Sequence, residues 1–180
     1  MLQGLPQRLT VILCLCGAVF AQSSGVWLDV PFVHQEKDGC GAAVIAMLME
    51  YWHKQQPRPD DAQIDPVEIQ RSLYSPKAHG IYSSDLERYL QHQGFRTFTV
   101  QGDWELLRRH LEKGRPLIVA LKPLKGQSSL HYVIVAGLDW NNNLLLINDP
   151  ARRKLLKVDR GAFESEWEAV RRWTLLALPR

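Results

Sequence analysis

Apolar and polar positions alternate with two different periods along this chain, and the change comes about halfway. Between Gly41 and Trp52, Val44, Met47, Leu48 and Tyr51 recur at helical spacing, which predicts an amphipathic helix with one core-facing side. A short helix is expected after Asp65, with Asp65 as N-cap, Pro66 in the first turn and Glu68 placed to close a capping box. Ser84 and Glu87 repeat that pattern ahead of a third helix, which Gly94 should terminate. Asp103 caps a fourth over Trp104 to Lys113, closed by Gly114. Val26 to Val33 alternates and contains Pro31, the pattern of a short edge strand, and Phe95 to Val100 is β-like. Thereafter strands dominate: Leu117 to Leu121, His131 to Gly137, Leu144 to Ile147, Lys154 to Val158 and Thr174 to Leu178, with one helix from Gly161 to Val170. A mainly helical first half and a mainly antiparallel second half predict an α+β fold.

The first residues change that picture at one end only. Arg8 forms a short basic region, Leu9 to Ala21 is apolar apart from Thr10, and Val19-Phe20-Ala21 has the form of a cleavage site. That stretch is shorter than the roughly 20 residues a spanning helix requires. The expectation is a signal peptide over residues 1–21 and a single exported domain over 22–180, periplasmic or extracellular. Left uncleaved, the leader would be a weak membrane anchor. His53 to Asp65, with Pro57 and Pro59, reads as a surface loop within the domain. The net charge of +3 is small, and pairs such as Arg108-Arg109 and Arg171-Arg172 are dispersed among acids, which argues against nucleic acid as a partner. There is no Gly-rich phosphate loop. The six histidines share no ligand spacing, so neither a cofactor nor a metal is expected.

Of three cysteines, Cys14 and Cys16 fall in the leader, leaving Cys40 alone in the mature chain. It opens the first predicted helix, where unpaired N–H groups and the helix dipole favour a thiolate. Gly39 and Gly41 flank it and would permit a sharp entry into the helix. A cysteine nucleophile also needs a base and donors for the oxyanion. His131 stands at the mouth of an apolar strand. Asp149 ends the next strand, across the Asn141-Asn142-Asn143 turn. A hairpin about that turn brings the start of one strand beside the end of the other, and so His131 beside Asp149. Asn148 competes as orienter, but consecutive strand residues face opposite ways, so only one of the two can serve. Gln35, five residues before Cys40, offers a side-chain amide as oxyanion donor.

The segment Val30-Pro31-Phe32-Val33-His34-Gln35-Glu36-Lys37-Asp38-Gly39-Cys40-Gly41-Ala42-Ala43 resembles the start of peptidase C39-like domains, of the papain-like cysteine peptidase superfamily. Gly80-Ile81-Tyr82-Ser83-Ser84-Asp85-Leu86, Gly114-Arg115-Pro116-Leu117-Ile118-Val119, His131-Tyr132-Val133-Ile134-Val135 and Asn148-Asp149-Pro150 follow in that family's order. The resemblance spans about Val30 to Asp159. It implies a papain-like fold, a thiol peptidase acting on a peptide or protein, Cys40 as nucleophile, His131 as base, Asp149 as orienting acid and Gln35 as oxyanion donor. Gly39 stands where exporter-linked members often carry an acidic residue, so the likeness is to the broader C39-like group. The same residues would serve an acyltransferase or amidase, and the fold alone would serve a non-catalytic peptide-binding module.

Overall fold

The computed structural model describes residues 24–57, 63–123 and 130–180; the leader with its cleavage site, and Pro59 in the expected loop, lie outside them. Seven strands form one sheet: β1 (Gly25–Trp27), β2 (Phe95–Gln101), β3 (Leu117–Leu121), β4 (His131–Asp139), β5 (Leu144–Asp149), β6 (Arg153–Asp159) and β7 (Trp173–Pro179). Their order is β2-β7-β3-β4-β5-β6, with β1 alongside the far end of β4, and every pairing is antiparallel. The described helices are α1 (Cys40–Gln55), α2 (Pro66–Leu73), α3 (Ser83–His92), α4 (Trp104–Leu111) and α5 (Arg160–Glu168). The architecture is α+β.

Helices cover both faces of the sheet. Alternate residues of the central strands, Ile118, Ala120, Tyr132, Ile134 and Ala177, meet the buried side of α1 with Leu86 and Leu90 of α3. The intervening ones, Leu117, Val119, Val133, Val135 and Leu176, meet Leu107 and Leu111 of α4 and Phe163 and Trp167 of α5. This two-sided burial is why the central strands read as continuous apolar runs. Helices α4 and α5 form the layer opposite α1, and β2 joins the sheet edge beside β7.

Several element ends differ from expectation for local reasons. The strand expected over Val26 to Val33 ends at Trp27; beyond it Leu28 N–H still donates to Ala136 O, but Val30 N–H turns back to Leu28 O. Helix α1 continues past Trp52 to Gln55. Asp65 does cap α2, accepting from Val67 N–H, but Glu68 pairs with Arg71 instead of closing the box. Helix α3 starts at Ser83 without a side-chain cap. Glu87 accepts hydrogen bonds from Thr97 and Thr99 of β2, a better use of its carboxylate than the helix end. Asp103 caps α4 through Leu106 N–H, and the helix stops at Leu111, short of Gly114 with its φ of 68°.

The β4–β5 hairpin is irregular. From the turn the register runs Asp139 to Leu144, Leu138 to Leu145 and Gly137 to Leu146, then resumes at Val135 to Ile147 and Ile134 to Asn148. Ala136 is the extra residue of a β-bulge. Gly137 beside it accommodates β1, since a Cβ there would sit 2.6 Å from Val26 O.

Candidate active site

Cys40 begins α1, and the first intrahelical bond runs from Ala43 N–H to Gly39 O. The preceding N–H groups therefore have no acceptor within the helix, and no side chain caps them. The turn into the helix is not made by its glycines. Asp38 carries the positive φ, 56°, a conformation its short polar side chain tolerates, and Gln70 Nε2 donates to its carbonyl at 3.2 Å. Gly39 and Gly41 are required by close approach: added Cβ atoms would lie 3.0 Å from Glu36 O and 2.9 Å from the Ile81 Cβ. Cys40 is 8% exposed, and its Sγ lies 4.0 Å from Leu130 O, the carbonyl just ahead of His131.

His131 Nε2 and Asp149 Oδ1 are 2.8 Å apart, and the Cys40 thiol lies beside the carbonyl of the preceding residue, Leu130. With Nε2 engaged by the carboxylate, Nδ1 is the nitrogen left for the thiol. Burial disfavours the charged ring. The hydrogen bond to Asp149 and the interaction with Cys40, with the negative charges there, outweigh it and raise the imidazole pKa to about 9. Asp149 is itself 5% exposed, and its Oδ1 also accepts from Ala151 N–H at 3.0 Å, so its orientation is held from two sides.

Register explains why this carboxylate faces the ring. Ile134 pairs with Asn148, so Asp149 falls across from Val133, and His131 lies two residues along on the same face. Were Ala136 paired within an even ladder, Val135 would stand opposite Asn148, and Asn148 would share the face of His131. The bulge decides between the two orienters. Asn148 instead turns to the α1 side, fully buried, where Nδ2 donates to Val30 O and Pro31 O at 3.1 and 3.2 Å. Its Oδ1 accepts from Leu155 N–H at 2.9 Å, at an irregularity in the β5–β6 pairing where Leu155 has a φ of 49°. Asn148 thus ties the segment leading to Gln35 to the strand carrying Asp149.

Gln35 stands on that segment. Its N–H donates to Pro150 O at 3.0 Å, which joins the loop before Cys40 to the loop after Asp149. Its Oε1 is buried without a hydrogen-bond partner, and its side chain lines one cavity with His131 and Asp149 and another with Gly39. The four residues named from sequence thus converge on one place. Sequence reasoning missed the Leu130 carbonyl, the Asn148 clamp and Tyr132, whose buried hydroxyl is pushed above its usual pKa by burial and then by charge at Cys40. Only the parity of β4 hinted at Tyr132, which faces α1 while His131 faces α5. Among the described residues no group of three or more His, Cys, Asp or Glu is arranged to hold a metal ion.

The model of the Peptidase_C39 like family matches residues 27–174. A C39-like peptidase from Bacillus anthracis superposes with a TM-score of 0.66 at 17% identity, covering 87% of this chain and 98% of that one. The peptidase domain of ComA from Streptococcus, a bi-functional ABC transporter involved in a quorum sensing pathway, gives 0.64 at 23% identity, covering 84% and 99%. A double glycine motif protease from an AMS/PCAT transporter, solved with its leader peptide, gives 0.64 at 19% identity, covering 86% and 95%. No curated protein sequence matches the chain. The fold is that of papain-like cysteine proteases.

Proposed function

The chain belongs to the Peptidase_C39 like family of cysteine-type peptidases, and on that premise we propose that Cys40, His131, Asp149 and Gln35 hydrolyse peptide bonds in an exported domain. One observation carries the assignment of roles: the His131 ring bonds to Asp149 at 2.8 Å, while Cys40 Sγ lies 4.0 Å from the carbonyl of Leu130, the residue next to that histidine. That is the arrangement of nucleophile, base and orienter that nucleophilic catalysis requires.

In this reading Cys40 Sγ attacks the substrate carbonyl with its proton held on His131. The oxyanion that forms is met by Gln35 Nε2 and the Cys40 N–H, donors positioned before the charge develops. His131 then gives its proton to the departing amine as the C–N bond breaks. Water, deprotonated by His131, resolves the thioester and releases the acid. Asp149 keeps the ring in the tautomer that presents Nδ1 to sulfur. The structure solved with a leader peptide supports a peptide as the substrate class. Export rests on the Arg8-to-Ala21 pattern, and N-terminal sequencing of protein recovered outside the cytoplasm should begin at Gln22.

Purified wild-type protein should cleave members of a quenched fluorogenic peptide library, and Cys40→Ala should reduce turnover by about a thousandfold or more, since nucleophile and base act as one unit. Equal turnover by the two proteins would overturn the mechanism.

A further inference from the structure

A cavity of about 380 Å³ opens beside the site, within the range of small-ligand pockets, about 300–1,000 Å³. We propose that it is the subsite for the residue on the leaving-group side of the scissile bond, and that it selects a bulky, uncharged apolar side chain there. The inference rests on the peptidase reading above.

Position comes first. When the C–N bond breaks, the acyl carbon stays on Cys40 Sγ and the proton passes from His131 to the departing nitrogen. The residue carrying that nitrogen must therefore lie along the His131 ring. The cavity is lined by His131, Asp149 and Gln35 but not by Cys40, so it flanks the base and not the nucleophile. It runs from there over the sheet towards α5.

Chemistry comes second. Leu121, Ile147 and Phe163 supply an apolar lining that a large hydrocarbon side chain would desolvate. Arg152 and Glu166 add one charge of each sign, and neither is paired with another described side chain. An acidic or basic occupant would meet one like charge for each opposite one. A neutral side chain meets no such conflict.

The test uses internally quenched peptides that differ only in the residue after the scissile bond: Gly, Asp, Lys, Leu or Phe. Cleavage position is verified by mass spectrometry. Wild-type protein should favour Leu and Phe over Gly by about tenfold or more in kcat/KM, the scale of discrimination an apolar pocket provides, with Asp and Lys no better than Gly. Ala162, exposed on α5 and lining the cavity, is outside the catalytic group. Ala162→Trp should bring Leu and Phe down to the Gly rate and leave the Gly peptide within about twofold. A second measurement is independent of that variant. An added amine that attacks the thioester forms a C–N bond, expels Cys40 as thiolate and passes its proton to His131, so it must occupy the same subsite. Phenylalaninamide should trap the acyl-enzyme at least about tenfold better than glycinamide. Equal rates across the five peptides, or equal trapping by the two amides, would overturn the subsite and leave the peptidase reading standing. Cleavage of none of the peptides, with Cys40 unreactive towards iodoacetamide, would overturn the peptidase reading and the subsite together.

Discussion

At His131, burial and pairing oppose one another, and pairing prevails. A ring 15% exposed would ordinarily lose its proton more easily than in water, yet Asp149 and Cys40 hold its pKa at about 9. The active protonation state, in the proposed mechanism, has an imidazolium beside the nucleophile. Its raised pKa means that the proton is retained below about 9 and lost as pH rises through that value. The alkaline limb of kcat/KM should therefore fall near pH 9. In Asp149→Asn the acceptor charge is gone, and the limb should move down towards the ordinary histidine value while kcat drops. A pH–rate profile of both proteins measures this; an unshifted limb would remove Asp149 from the role of orienter. Residue identity was the most legible layer in sequence. Cys40, His131, Asp149 and Gln35 were each legible as candidates from type and place, because a lone thiol at a helix start and a histidine at an apolar strand's mouth are chemically conspicuous. Tyr132 and the Leu130 carbonyl were not, since nothing local marks a tyrosine within a strand or a backbone oxygen.

Among the elements, the β4–β5 hairpin carries the most consequence. Both strands and their turn are visible in the hydrophobic pattern, but the bulge at Ala136 is not, because an alanine in an apolar run looks like any other core position. Were that residue paired within an even ladder, the register beyond it would slip by one and every facing up to the strand end would reverse. Deleting Ala136 should instead even the ladder with Val135 still opposite Ile147, so that Asp149 keeps the His131 face. The expected result is a folded protein in which His131 still titrates near 9, read by imidazole NMR. A fall of that value towards the ordinary histidine range would show that the pairing needs the bulge itself and not only its register. The helices were less fully legible at their starts. Asp65 and Asp103 cap as their sequences suggest, whereas Glu87 reaches across to Thr97 and Thr99, a partner choice made by packing.

For the whole molecule, the site joins two layers that share one sheet. Cys40 comes from α1, buried along most of its length against one face, while His131 and Asp149 project from the opposite face towards α5. Neither layer can loosen without separating nucleophile from base, so activity and global structure should be lost in one transition. Urea midpoints followed by peptidase activity and by far-UV circular dichroism should coincide, as cooperative single domains behave. Activity lost well before the ellipticity would contradict this coupling. By itself the sequence determined the α+β class, the seven strands, the placing of Cys40 at a helix start and the candidates for the site, because periodicity and residue chemistry are local properties. The tertiary structure alone decided that Asp149, not Asn148, faces the histidine. That choice depends on a register shift and on the Val30 and Pro31 carbonyls, far away in sequence, which bind Asn148 on the other face.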